Sequence, residues 1–220
     1  MTVLNEMKLL IFDTETTGLP KSREPAIKGA NNWPHIVSMA WVVVENDKII
    51  KSEYHVVRPL WDIPADSVKI HGITKEKALA EGSPLSTVIQ KFLEEPHDVL
   101  VAHNMNFDYN VLINAIMWDL KLVVPPDFKP KFCTMEAMRN IMCLPFANGR
   151  GFKPPKLSEL YQYVMNKPAQ SQQLHNSLYD TQVLAEIIIN SLVLRSMIGL
   201  PVPGDDNPNA SKKVRTTLIL

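Results

Sequence analysis

At 220 residues, 45% of them hydrophobic, the chain is long enough to bury a sizeable core as a single domain. Its 23 basic and 23 acidic residues cancel, which excludes a protein that coats nucleic acid through basic excess but not an enzyme that grips a few phosphates locally. Cys133 and Cys143 lack metal-ligand spacing and form no disulfide framework. Residues 1–8 carry no apolar signal core, and no apolar run approaches the ~18 residues that span a bilayer. The expectation is a soluble, cytoplasmic protein with no membrane partner.

The first element is Leu9-Leu10-Ile11-Phe12, a continuous apolar run that reads as a strand buried on both faces. It ends in Asp13-Thr14-Glu15. Side chains at i and i+2 of a strand point the same way, so the two carboxylates project side by side. Like charges that close to a core either take up a proton or bind a cation. The segment equally reads as a strand that ends in a polar turn, since Thr16-Thr17-Gly18-Leu19-Pro20 follows. Taken alone it does not choose.

Residues 35–45 and 48–57 read as a hairpin turning at Asn46-Asp47, followed by a loop over 58–66 that contains Pro59 and Pro64. Helical signals come next, with Thr74 and Ser83 as N-caps and Pro84 at a first helical position. Residues 98–102 form a short buried strand and 107–120 a helix. Past the stiff stretch of Pro125, Pro126 and Pro130, residues 131–133 make a strand that leads into a helix from Thr134. A Gly/Pro-rich loop covers 148–155, a short helix 157–164, and one long last helix 176–197. The pattern predicts an α/β domain with a mixed sheet over residues 1–198, then a linker and C-terminal tail over 199–220. In that tail, residues 211–220 form a basic cluster with an apolar tip.

Two helices carry a carboxylate on the wrong face. In the last helix Leu184, Ile187, Ile188 and Ser191 share a stripe, and Asp180, four residues before Leu184, falls on it. In the helix from Phe107, Val111, Leu112 and Ala115 form the inner stripe with Asp108 at its start, and Asn104 or Asn106 is the natural cap. Each Asp alone is explained by the helix dipole, which accounts for its position along the helix but not its face. His175 is five residues before Asp180, too far round an ideal helix to share its face, so it sits in the preceding loop with Asn176 as N-cap. A loop histidine beside a carboxylate cluster suits a general base near neutral pH.

Together these residues resemble a known family. Phe12-Asp13-Thr14-Glu15-Thr16-Thr17-Gly18-Leu19, then His103-Asn104-Met105-Asn106-Phe107-Asp108, then His175-Asn176-Ser177-Leu178-Tyr179-Asp180 are similar to the three motifs of the DEDDh, or DnaQ-like, 3′→5′ exonucleases. Ile70-His71-Gly72-Ile73-Thr74 resembles the family's loop between the hairpin and the first helix. The resemblance implies a ribonuclease H-like fold, a mixed five-stranded sheet with a three-strand antiparallel meander plus parallel strands, flanked by helices. It implies that Asp13, Glu15, Asp108 and Asp180 hold two Mg²⁺ or Mn²⁺ ions, and that His175 takes the proton of the attacking water. The terminal phosphodiester is then cut and a nucleoside 5′-monophosphate leaves. Thr16, Thr17, Leu19, Asp66, His71, Asn104 and Phe107 match positions that border the 3′-terminal nucleotide in relatives.

The implied substrate is a single-stranded or frayed DNA 3′ end, in proofreading or repair, with a DNA polymerase as a possible partner. An exoribonuclease acting on RNA or short oligoribonucleotides shares the same residues. A catalytically silent polymerase-binding scaffold has no need of charges on core-facing stripes. The locally basic loop 148–156, with Arg150, Lys153 and Lys156, is a second candidate contact with substrate phosphates.

Overall fold

The computed structural model describes residues 7–124, 129–169 and 176–203. Five strands form one sheet in the order β3-β2-β1-β4-β5: β1 Leu9–Thr16, β2 Ile36–Glu45, β3 Lys48–Val56, β4 Val99–Ala102 and β5 Lys131–Cys133. β2 runs antiparallel to both β1 and β3, while β4 is parallel to β1 and to β5. The mixed sheet is the one the sequence predicts. Asn46 and Asp47, both at positive φ, make the two-residue hairpin turn that matches the twist of β2 and β3.

Alternation along β1 supplies two cores. Leu10 and Phe12 face one side with Met39, Trp41 and Leu100, covered by α3 (Leu85–Leu93) and α4 (Met105–Asn114). Leu9 and Ile11 face the other with Val42, Val44, Val99 and Val101. That side is covered by α5 (Thr134–Met142), α6 (Leu157–Met165), α7 (Ser177–Asn190) and α8 (Leu192–Ile198). Each fully buried side chain of this size contributes about 1.5–3 kcal/mol. A strand clothed on both faces is why the β1 run is continuously apolar.

Three expectations are corrected. The segment after the hairpin is not all loop: α1 spans Ala65–His71, its first turn starting after Pro64 and its end set by Gly72 in the left-handed region. Thr74 does cap α2 (Lys75–Glu81), accepting from the Lys77 amide at 3.2 Å, but Pro84 is itself the cap residue of α3, one place before the first helical position. The long last helix is two: Ser191 is extended (φ −96, ψ 107) and α7 and α8 meet at 93°. Ser191 then caps α8 by accepting from the Leu194 amide.

α8 turns back so that Arg195, only 3% exposed, forms a bidentate pair with Asp47 in the hairpin turn and donates to the carbonyls of Ile189 and Pro201. No single helix among the described residues is long and apolar enough to cross a membrane. Residues 1–6, Pro125, Pro126 and the tail from 204 onward, including the predicted basic cluster, lie outside the described residues.

Candidate active site

β1 is the strand at which the sheet changes direction, with an antiparallel neighbour on one side and a parallel one on the other. Chain exits diverge at such a switch point, and a crevice opens beyond the strand's carboxyl end. Asp13 and Glu15 stand there. They continue the face of Leu9 and Ile11, the face covered by α7, and the first turn of α7 brings Asp180 down onto them. One carboxylate oxygen from each of Asp13, Glu15 and Asp180 can lie within 4.8 Å of the others.

Asp108 arrives from the opposite face. It is 3% exposed in the first turn of α4, and its Oδ1 accepts from the Thr14 amide at 3.0 Å and the Thr14 hydroxyl at 2.8 Å. Thr14 points to the α4 face because it is out of phase with Asp13 and Glu15. It belongs to the site as the holder of Asp108, a role visible in sequence only as the middle residue of Asp-Thr-Glu.

The electrostatics are those of carboxylates gathered at one place, raised by burial and by their acidic neighbours. Burial, reinforced by Asp108, Glu15 and Asp180, holds the Asp13 carboxyl well above the usual range. Glu15 is pushed up to about 8 by burial, then by Asp180 and Asp108. Burial lifts Asp108 to about 7 against the pull of its two Thr14 hydrogen bonds, with Asp180 adding to the rise. An all-oxygen, multiply acidic donor set on rigid elements fits a hard divalent cation.

The expected rim residues are partly assembled. Thr16 closes back on itself through its hydroxyl, which donates to the Gly18 carbonyl at 2.8 Å. Thr17 exchanges two hydrogen bonds with His35, its amide to the His35 carbonyl and its hydroxyl accepting the His35 amide, both at 3.0 Å. His35 is stacked on Trp61 at 3.9 Å and bound to Asp119 at 3.0 Å. His71, the last residue of α1, accepts from the Ile73 amide at 3.1 Å, and burial lowers its pKa.

Asn104 takes the N-cap position of α4 in the left-handed region (φ 76) but makes no side-chain cap bond. Phe107 is half-buried against Trp33, ring centroids 6.0 Å apart. Leu19 is 83% exposed. Asp66 projects into solvent and is taken up by Lys69 at 2.7 Å. His175 lies outside the described residues, while Asn176 caps α7 as expected, accepting from the Leu178 and Tyr179 amides.

His103, just past β4, bonds the Thr134 hydroxyl and the Pro155 carbonyl, each at 3.0 Å, and burial drops its pKa to about 4. It staples the base of the 148–155 loop to the end of β4 and holds there as a neutral ring. The basic loop itself is less charged than its sequence: Lys153 is bound to Glu159 at 2.6 Å, leaving Arg150 exposed at the tip.

Comparison with known proteins follows the same line. Residues 10–188 match the model of the RNase T family, described as exonuclease. The chain is 27% identical over 197 residues to a PolC-type DNA polymerase III of Caldanaerobacter subterraneus, covering 89% of this chain and 12% of that protein. The corresponding figures for the Thermotoga maritima PolC-type polymerase are 25% over 193 residues, 87% and 12%. The chain thus spans about an eighth of these relatives.

Among solved structures, Exonuclease X in complex with 5′ overhanging duplex DNA is 26% identical, with a TM-score of 0.59 over 88% of this chain and 95% of that one. E. coli Exonuclease I in complex with a dA16 oligonucleotide shares the fold at a TM-score of 0.67 and 14% identity, over 87% of this chain and 43% of that one. The chain therefore belongs to the DEDDh, DnaQ-like exonuclease family of ribonuclease H-like fold.

Proposed function

We propose that the protein is a divalent-metal-dependent 3′→5′ exonuclease that releases nucleoside 5′-monophosphates from single-stranded or frayed DNA 3′ ends, in proofreading or repair. The observation that carries this reading is the convergence of Asp13, Glu15 and Asp180 within 4.8 Å, with Asp108 beside them and the raised carboxyls pushed up by their acidic neighbours. Two Mg²⁺ or Mn²⁺ ions suit four such carboxylates. When bound, such a pair stabilises both the attacking and the leaving oxygen of an in-line displacement.

The chain's own residues supply the rest. Asp13, Glu15 and Asp180 bind, and Thr14 fixes the angle at which Asp108 joins them. His175, next to the Asn176 cap, takes the proton from the attacking water. The backbone of Thr16 and Thr17 receives the terminal nucleotide with His71 and Asn104. Leu19 and Phe107 flank its base. Asp66, committed to Lys69 at the surface, contributes least.

DNA is favoured over RNA because Exonuclease X is seen with DNA and because the curated relatives are DNA polymerases, which also favour a polymerase as partner. The exonuclease domain is assigned to residues 1–198, with 199–220 appended to it.

Incubation of 5′-labelled DNA and RNA strands with Mg²⁺, Mn²⁺ or chelator tests direction, sugar and metal together. The expected result is a descending ladder, faster on DNA and absent with chelator. Immediate release of the labelled nucleotide would show the opposite polarity, and no metal-dependent shortening of either strand would overturn the proposal.

A further inference from the structure

The α7 face of the sheet becomes small and polar where it reaches the site. Residues of β2 that share this face run Val44, Val42, Ala40 and Ser38, paired across the ladder with Leu9, Ile11, Asp13 and Glu15. The apolar contacts that seat α7 on the sheet stop at Ile11 and Val42. Beyond them, α7 presents Asp180 to Asp13 and Glu15, and like charges there push the helix end away from the strand.

What spans the gap is a pair of hydroxyls. Ser38 Oγ and Ser177 Oγ are 3.2 Å apart, and both residues are 0% exposed. Each is tied through backbone to one carboxylate of the cluster. Ser38 is the ladder partner of Glu15, and Ser177 opens the helical turn that carries Asp180 three residues later. The bond therefore closes a circuit from Glu15 through β2 to α7 and back to Asp180. Tyr54 on β3 backs it from outside, its phenol hydrogen-bonded to the Ser38 hydroxyl and within reach of the Glu15 charge. Hydroxyls so deeply buried are costly without a partner, so the pair resists separation.

We propose that Ser38 and Ser177 are positioning residues, a strut that fixes the separation of Glu15 and Asp180 so that both oxygens meet one cation. This rests on the reading of the carboxylates as a metal site. The test is calorimetric titration of Mn²⁺ into metal-free wild type, Ser38→Ala, Ser177→Ala and the double variant, with melting curves of each before and after Mn²⁺.

Ser177→Ala is expected to bind Mn²⁺ about fivefold more weakly, the loss of one buried neutral hydrogen bond, and Ser38→Ala at least as weakly because it also loses the Tyr54 bond. The double variant should be no worse than Ser38→Ala, because the bond the two serines share is lost once. The Mn²⁺-induced rise in melting temperature should shrink in step. Variants that melt lower without metal yet bind Mn²⁺ as tightly as wild type would make the pair merely structural and overturn the proposal. A wild-type protein that takes up no Mn²⁺ would instead remove the metal-site reading on which it rests.

Discussion

The molecule takes charge out of water in two places, at opposite ends of the α7–α8 pair. At one end Arg195 is 3% exposed and fully answered from within the chain, by the Asp47 carboxylate and the carbonyls of Ile189 and Pro201. At the other, Asp13, Glu15, Asp108 and Asp180 face one another, and Glu15, Asp108 and Asp180 each raise the proton affinity of a neighbour. The first arrangement completes the fold and asks for nothing. The second gathers like charges, the arrangement that a divalent cation is proposed to complete. A buried charge holds structure when its opposite is set beside it, and it builds a site when like charges are gathered instead.

Removing one carboxylate should break this contrast most sharply. Asp13→Ala is expected to lower turnover about 10³-fold or more, the several kcal/mol that metal stabilisation of the transition state is worth. In the same variant the metal-free protein should melt higher, because a repelling group has gone. Single-turnover assays and melting curves in chelator check the two signs together.

Arg195→Ala should do the reverse. It strips the counter-charge from Asp47 and removes the bonds to two carbonyls, at a cost of about 3 kcal/mol; Asp47 is half-exposed, which keeps the value at the low end. Denaturant unfolding measures that loss, and activity per folded molecule should stay unchanged.

Proton linkage sharpens the difference. Glu15 at about 8 and Asp108 at about 7 hold protons in the folded chain that the unfolded chain has already released. The stability they lend is complete below the ordinary carboxylate range and is lost as pH rises through their folded values. Metal-free protein should therefore lose stability steadily from pH ~5 to ~8. Saturating Mn²⁺ should abolish that slope, as melting curves across the range would show.

The smallest effect belongs to the loop between α5 and α6. Arg150→Ala should raise KM for long substrates about threefold at low salt, as befits one phosphate contact. Lys153→Ala should leave KM alone, since its charge is already spent on Glu159.

The strands and the acidic site were legible because both depend on short-range alternation. Four apolar residues followed by Asp-x-Glu fix β1 and the direction of its carboxylates, and a first-turn Asp on a core stripe marks α4 and α7. The missed features depend on conformation at single residues or on distant partners. Pro59 and Pro64 read as loop, although α1 starts immediately after Pro64. Ser191 sits within an apolar periodicity that continues through Leu194 and Ile198, so nothing in the pattern announces its extended backbone. Ser38 and Ser177 are 139 residues apart, and neither has a local signature.

The ladder between β1 and β2 stays in step from Leu9↔Val44 to Glu15↔Ser38, then slips so that Thr16 meets Ile36 and Val37 is skipped. That slip sets the register of the chain beyond Glu15. Substitutions around it leave the count intact, but deleting Val37 would restore even pairing beyond Glu15 while pulling the 17–35 segment along by one residue. Thr17 would then lose its His35 partner. The rim of the crevice is thus protected less by the identity of its residues than by their number, and lineages that keep the site are expected to tolerate exchange here far more readily than insertion or loss.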